Sequence, residues 1–224
     1  VPAIEERARK AGIPNFHMFG EVYDPSPAGL ARHTRVDKLP AVLDFAFQSV
    51  ATDVATGAKS PLDLATMFAA DALYEGGEAA ALQLPTFLGN HDMGRIGGFI
   101  QKAHPEASDA EHLARSKLAH ALMLFSRGVP TLYYGDEQGL GGSGGYNGGR
   151  QDLWASEVAE YQAEPRIGGK RPAYDRTAPL FLAIKEMTTV RAADVNLRRG
   201  LQKVRAADEG PGLFAFTRAI QGQK

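Results

Sequence analysis

The chain has 224 residues, no cysteine and a formal net charge of -1 at pH 7. Disulfides and thiolate chemistry are therefore excluded, and the balanced charge offers no basic surface for nucleic acid or an anionic membrane. Hydrophobic residues make up 44% of the sequence, as in an ordinary globular protein, but no apolar run reaches the ~20 residues that a membrane-spanning helix needs.

The first part of the sequence predicts helices and apolar strands in alternation. The opening "VPAIEERARKAG" predicts a helix, and "NFHMFGEVYD" predicts the strand that follows it. A loop rich in Pro and Gly, "PSPAGLARHTRVDKLP", leads to a second apolar run, "AVLDFAFQSV", which we interpret as a buried strand. The next helix is expected to begin at Ser60, which has the residue type of a helix cap.

The same alternation continues to the last helix, after which the pattern changes. A short alternating run on each side of "DEGPG" predicts a β-hairpin at the end of the chain. The predicted elements before it are a strand in "LPTFLGNHD", a helix from Ser108, a strand in "VPTLYYGDE", the Gly-rich loop "GLGGSGGYNGGR" and a helix in "APLFLAIKEMTTVRAA".

Regular alternation of strands and helices indicates an α/β fold with a parallel sheet. Three of the four predicted strands end in short polar motifs, "GEVYD", "GNHD" and "GDE". Active sites of (β/α)-barrels collect at the C-terminal ends of their parallel strands, so this pattern favours a barrel over an open sheet. Four strand–helix units make half of an eight-stranded barrel.

Two acidic residues stand at predicted strand ends that a barrel would bring together. Glu21 and Asp92 each follow an apolar strand, and one strand–helix unit lies between them. Two carboxylates across a barrel mouth, with His91 beside them, suit acid/base chemistry on a polar substrate. The alternative is that each acid only caps a helix or belongs to a turn, which is the usual role of a single Asp or Glu.

The motifs "FGEVYD", "FLGNHD" and "GVPTLYYGDE" together resemble conserved motifs of the α-amylase family of glycoside hydrolases, in the same order. The resemblance implies that residues 1–196 are the C-terminal half, strands five to eight, of a (β/α)₈ TIM barrel. It also implies that residues 197–224 begin an antiparallel C-terminal β-sandwich domain.

The resemblance further implies roles for individual residues. Glu21 would be the general acid/base of a retaining mechanism, and Asp92 would stabilise the positive charge of the transition state. His91 would donate hydrogen bonds to the same sugar, with Asn90 beside it supporting the turn. Tyr23 is a candidate for stacking on a sugar ring.

A polar pair follows the Gly-rich loop. Arg150 and Asp152, in "GGRQDLW", resemble the residues that bind more distant glucose units in relatives; the alternative is a surface salt bridge. The loop itself lacks the G-x-x-x-x-G-K-[ST] pattern of a phosphate loop, so we interpret it as a loop at the barrel mouth.

The sequence departs from the family at one decisive point. The family nucleophile is an Asp in a motif resembling G-x-R-x-D on the strand before the general acid, and no such motif precedes "FGEVYD" in this sequence. The stretch "GGRQD" (148–152) has the same spacing, but it follows the last predicted strand and therefore does not occupy that place. We therefore expect the nucleophile and the N-terminal half of the barrel to lie outside this chain. The missing N-terminal half would then be a partner of this chain. The family's usual calcium ligands are expected there too, so we predict no metal or other cofactor in this chain, although the full-length parent would bind Ca²⁺.

The resemblance implies a retaining hydrolase or transglycosidase that cleaves α-glucosidic bonds in α-glucans or maltooligosaccharides. The sequence leaves open the choice between hydrolysis and transfer, the linkage preference and the compartment, although a secreted or periplasmic parent would fit the family. Two alternatives remain at this point: a non-catalytic amylase-like binding or accessory domain, and an inactive half-barrel.

Overall fold

A computed structural model of the protein describes residues 1–142, 145–154, 157–164, 166–169 and 174–220. Its α-helices are α1 Pro2–Lys10, α2 Pro27–Arg35, α3 Phe45–Thr56, α4 Pro61–Ala69, α5 Glu78–Ala81, α6 Ile96–Ala103, α7 Asp109–Phe125, α8 Ala159–Ala163, α9 Pro179–Ala193 and α10 Val195–Arg199. Its strands are β1 Pro85–Thr86, β2 Val129–Pro130, β3 Leu201–Ala207 and β4 Phe214–Ala219.

Four short extended segments lie side by side in chain order and form the centre of the fold. Gly20 makes a parallel bridge with Val42, the Asp44 amide donates to the Pro85 carbonyl at 3.0 Å, and Pro85 pairs in parallel with Val129. The predicted alternation of strands and helices is therefore present, and both bridged pairs are parallel. The regular strands are shorter than predicted.

The prediction that "AVLDFAFQSV" is one buried strand is wrong. Only its start is extended, and α3 begins at Phe45. The Asp44 carboxylate accepts a hydrogen bond from the Phe47 amide at 3.0 Å, which caps the helix. Because α3 is buried on several sides, its apolar run is continuous and has no clear helical period.

The loop predicted in "PSPAGLARHTRVDKLP" is also corrected, because it contains α2. Ser26 accepts a hydrogen bond from the Gly29 amide at 3.4 Å, and Pro27 occupies the first turn, where its missing N–H is not needed. Leu30 and Thr34 are buried at helical spacing.

The two helix starts predicted at Ser60 and Ser108 are confirmed by their caps. Ser60 and Asp63 form a capping box at α4, and the Ser108 hydroxyl accepts from the Glu111 amide at 3.2 Å at the start of α7. The predicted hairpin is the antiparallel pair β3–β4. Residues 221–224 of the predicted β-domain and residues 143–144 of the Gly-rich loop lie outside the described residues.

The core contains a buried ionic cluster around Arg127. Its Nε and Nη2 each donate to one oxygen of Asp71 at 2.7 Å, and its Nη1 donates to Asp44. The Phe68 ring lies 5.0 Å from the guanidinium. Burial raises the pKa of the Asp71 carboxyl, although Arg127 opposes this shift. Burial acts to lower the pKa of Arg127, but the two carboxylates outweigh it and raise the pKa. The cluster connects the start of α3, the segment after α4 and the segment between α7 and β2.

In the part of the chain that the structure describes, no helix has the length and apolar character needed to cross a membrane.

Acidification is expected to destabilise the chain through His120. This side chain is fully buried in α7, with Nδ1 2.8 Å from the Ser116 carbonyl, and burial lowers its pKa from about 6.5 to about 4. The folded state therefore binds fewer protons than the unfolded state between these values. Its free energy of unfolding should fall as the pH drops from about 6.5 to about 4, by up to roughly 1.4 kcal/mol per pH unit.

The measurement is urea unfolding at a series of pH values, compared between the native chain and His120→Gln. The buried carboxyl of Asp136, whose pKa is raised by burial to about 7, contributes with the opposite sign, but it contributes equally to both proteins. The difference between them isolates His120. A difference that does not change with pH would show that His120 does not titrate as described.

Candidate active site

The two predicted catalytic carboxylates line one open pocket of about 540 Å³. The pocket combines acids and an amide with aromatic and other apolar side chains, a composition that suits a polar ligand with apolar faces. Its lining residues are Glu21, Tyr23, Phe45, Asn90, Asp92, Met93 and Phe99.

Glu21 stands at the end of the first extended segment. Gly20, just before it, accepts from the Leu43 amide at 3.0 Å and donates to the Ala41 carbonyl at 2.9 Å. A Cβ atom at Gly20 would lie 2.5 Å from Leu39 Cδ1, so a side chain there would displace the end of Leu39. The backbone is thus fixed immediately before an exposed carboxylate.

Tyr23 presents an exposed aromatic ring to the pocket. It is 74% exposed, yet its ring packs edge-on against Phe45 at 5.2 Å, and Phe45 packs edge-on against Phe87 at 5.1 Å. This row of rings connects Tyr23 to the core. The Tyr23 ring therefore packs on the core through Phe45 and is still exposed for contact with a ligand.

Asp92 is presented by a turn that Asn90 stabilises. The Asn90 Oδ1 atom accepts from the amides of Asp92 at 2.9 Å and Met93 at 2.8 Å, and the backbones of Asn90 and Gly94 exchange two hydrogen bonds. His91 Nε2 lies 3.5 Å from Asp92 Oδ1, and both side chains are about half exposed. Asn90, His91 and Asp92 thus lie on one turn that Asn90 stabilises, and the roles of His91 and Asp92 toward a sugar stay predictions.

Replacing Asn90 by Ala is expected to destabilise this turn, because two amides lose their acceptor. The cost should be about 1–2 kcal/mol in the free energy of unfolding. Asn90→Asp is the matched control, since it keeps an acceptor oxygen and should cost less. Urea unfolding of both variants checks this, and equal losses in the two would contradict the role assigned to Oδ1.

Arg150 reaches the turn from the Gly-rich loop. Its Nη2 atom donates to Asp92 Oδ1 at 3.3 Å. Asp152 is half-buried, and neither residue is among those lining the pocket. The structure therefore connects Arg150 with the site through Asp92, while binding of more distant glucose units by Arg150 and Asp152 stays a prediction.

Beneath the turn lies a buried arginine that the sequence analysis did not single out. Arg95 Nε donates to Gln151 Oε1 at 2.9 Å, and its Nη1 donates to Asp136 Oδ1 at 2.9 Å and to the Tyr134 carbonyl. The Tyr133 ring centre is 4.6 Å from its guanidinium carbon. Burial raises the pKa of Asp136 to about 7, and Arg95 opposes that shift.

The comparisons with known proteins identify the family. The family model for the α-amylase catalytic domain matches residues 2–199. The chain belongs to the α-amylase family. An α-amylase of Streptomyces lividans is 42% identical over 220 residues, covering 96% of this chain and 24% of that protein. A cyclomaltodextrin glucanotransferase of Bacillus licheniformis is 28% identical over 163 residues, covering 71% of this chain and 18% of that protein. The chain thus spans a quarter or less of the length of these relatives.

Solved α-amylases share the fold. One from Anoxybacillus has a TM-score of 0.71 at 22% identity, covering 97% of this chain and 42% of that chain. One from Geobacillus thermoleovorans, solved in complex with acarbose, has a TM-score of 0.71 at 20% identity, covering 97% and 43%. The chain therefore has the fold of the corresponding part of α-amylase-family TIM-barrel enzymes.

Several residues of this candidate site were not found from the sequence. Phe45, Met93 and Phe99 line the pocket but have the residue types of core positions, so no pattern distinguished them. For Arg95 the available signal was its place directly after "GNHDMG", where an arginine before an apolar helix has to be either exposed or paired.

Within the described residues, no group of three His, Asp or Glu side chains is placed to hold a metal ion. Calcium binding by the parent enzyme stays a prediction.

Proposed function

We propose that this chain supplies the acid/base side of the active site of an enzyme that cleaves α-glucosidic bonds, and that its four extended segments are strands five to eight of the barrel. The observation that carries this proposal is the position of Glu21 and Asp92 on one pocket, after the first and third of the four extended segments of an α-amylase-family fold. The substrate class is an α-glucan or maltooligosaccharide, as the names of the relatives suggest.

In the proposed retaining mechanism, Glu21 donates its proton to the glycosidic oxygen as the bond from that oxygen to C1 breaks. A carboxylate nucleophile forms a bond to C1 in the same step. Glu21 then removes a proton from water or from a glucan hydroxyl, which attacks C1 and releases the nucleophile. We propose that the nucleophile is a residue outside residues 1–224.

Asp92 has a separate electrostatic role in this proposal. Its negative charge stabilises the positive charge that develops on the sugar ring in the transition state. Arg150 and His91 both lie on the Oδ1 side of this carboxylate. Oδ2 is therefore the oxygen that we assign to sugar hydroxyls, with the exposed Tyr23 ring contacting an apolar sugar face.

The test is a chimera in which residues 1–224 replace the matching segment of the Streptomyces lividans α-amylase. Cleavage of starch by the chimera, with retention of configuration at C1, would support the proposal. The products also distinguish hydrolysis from transfer, because only the acceptor differs between the two. The isolated chain is the comparison, and we expect it to show no normal turnover.

The alternative function is a non-catalytic binding or accessory domain. It predicts a chimera that folds and binds maltooligosaccharides but does not cleave them. A folded chimera without cleavage would therefore contradict the enzyme proposal.

A further inference from the structure

Three segments of the chain meet at the buried Arg95 side chain. Arg95 itself follows the turn 90–94 that presents Asp92. Its Nη1 binds Asp136 and the Tyr134 carbonyl, after β2, and its Nε binds Gln151, in the loop that follows. A buried guanidinium costs free energy unless it is paired, so this position is held by specific contacts with both segments.

The loop residue next to Gln151 is the one that contacts Asp92. Arg150 Nη2 donates to Asp92 Oδ1 at 3.3 Å, whereas the Gln151 side chain points to Arg95 and is buried. Arg150 and Gln151 are adjacent in the loop. Arg150 contacts Asp92 in the turn, and Gln151 contacts Arg95, which directly follows the turn. The contact with Arg95 is buried, and the contact with Asp92 is largely exposed.

The backbone of the loop also lies directly on the turn. A Cβ atom at Gly149 would be 3.2 Å from the Asn90 carbonyl oxygen and 3.7 Å from His91 Cα. The Tyr133 hydroxyl donates to the Gly149 carbonyl at 2.7 Å, and the Tyr133 ring lies beside Arg95. The loop is thus held at residues 149 and 151, on both sides of Arg150.

We propose that Arg95 is a positioning residue of the active site. Through Gln151 it fixes the loop that carries Arg150, and thereby the contact between Arg150 and Asp92. Its relevance to catalysis rests on the proposed function of Asp92, but the positioning itself does not. The exposed contact between Arg150 and Asp92 is weak by itself, because water and salt screen an exposed ion pair. The buried hydrogen bond between Arg95 and Gln151 fixes the loop next to Arg150 and so holds Arg150 beside Asp92.

The first experiment measures the positioning directly in the 224-residue chain by NMR with ¹³C-labelled aspartate. The Asp92 carboxyl resonance is assigned by its disappearance in Asp92→Asn, and Arg150→Leu gives the resonance position when the contact is lost. We expect Gln151→Met, which removes only the acceptor for Arg95 Nε, to shift the Asp92 resonance in the same direction as Arg150→Leu. An Asp92 resonance that keeps its native position in folded Gln151→Met would overturn the proposal.

The matched control is Gln138→Met. Gln138 is also fully buried, but its side-chain oxygen accepts from the Asp175 amide at 2.7 Å rather than from Arg95. It should leave the Asp92 resonance unchanged, and an equal shift in this variant would mean that any loss of packing moves Asp92. If Gln151→Met does not fold, Arg95→Lys provides the same test, because lysine keeps a cation near Asp136 but has no N–H at the Nε position that binds Gln151.

The second experiment places the same changes in the Streptomyces lividans chimera. If Gln151 acts through Arg150, adding Gln151→Met to Arg150→Leu should cause no further loss of kcat, although each change alone lowers it. Additive losses would contradict the proposal. A chimera that is inactive while the NMR shift is present would instead reject the proposed function and leave the positioning intact.

Discussion

Replacing Glu21 by Gln in the chimera is expected to lower kcat for starch by about 10²- to 10⁴-fold, the usual contribution of a general acid/base. Glutamine keeps the size and one oxygen of the side chain but has no proton to give to the leaving oxygen. Glu21 is exposed at the pocket, so the change removes no buried contact and should leave the fold intact. KM should change much less than kcat.

The nature of the leaving group makes this prediction specific. An aryl maltoside with an acidic phenol as leaving group needs no protonation, so the glycosyl-enzyme should still form quickly in Glu21→Gln and then accumulate. The control is Glu75→Gln, since Glu75 is exposed and lines a different pocket, beside Arg32. Equal losses of kcat/KM for starch and for the aryl maltoside, with no burst of released phenol, would contradict the acid role of Glu21.

That Glu21 and Asp92 line one pocket could be anticipated from the sequence, because both residues stand where a local pattern changes. Glu21 and Asp92 each interrupt an apolar run, and Asn90 acts on amides only two and three residues away. Such signals depend on neighbours in sequence. They do not depend on knowing the rest of the fold.

The residues that hold the site were not predictable, for a physical reason. Arg95 binds Gln151 and Asp136 across 56 and 41 residues, and a local pattern contains no information on partners so distant. The start of α3 was missed because Asp44, its cap, also belongs to the buried ionic cluster and follows a segment that really is extended. A buried helix and a buried strand have similar apolar runs, so the sequence alone did not distinguish them.

The largest expected effect on stability is that of Arg127→Met. This change removes the cation from a cluster in which Asp44 and Asp71 are both buried, and it leaves two carboxylates without their partner. Breaking a buried pair in this way typically costs about 3–5 kcal/mol. A domain is stable by only about 5–15 kcal/mol, so the variant should be close to unfolding at room temperature.

Urea unfolding of the chain measures this cost, with Arg9→Met as the control. Arg9 also forms an ion pair, with Glu6, but both side chains are exposed, so its loss should cost less than about 1 kcal/mol. Adding Asp71→Leu to Arg127→Met should recover part of the loss, because one uncompensated buried carboxylate is then removed as well. If the double variant is less stable than the single one by the full cost of Asp71→Leu alone, the two residues are not coupled, and the ion pair does not account for the stability of this part of the core.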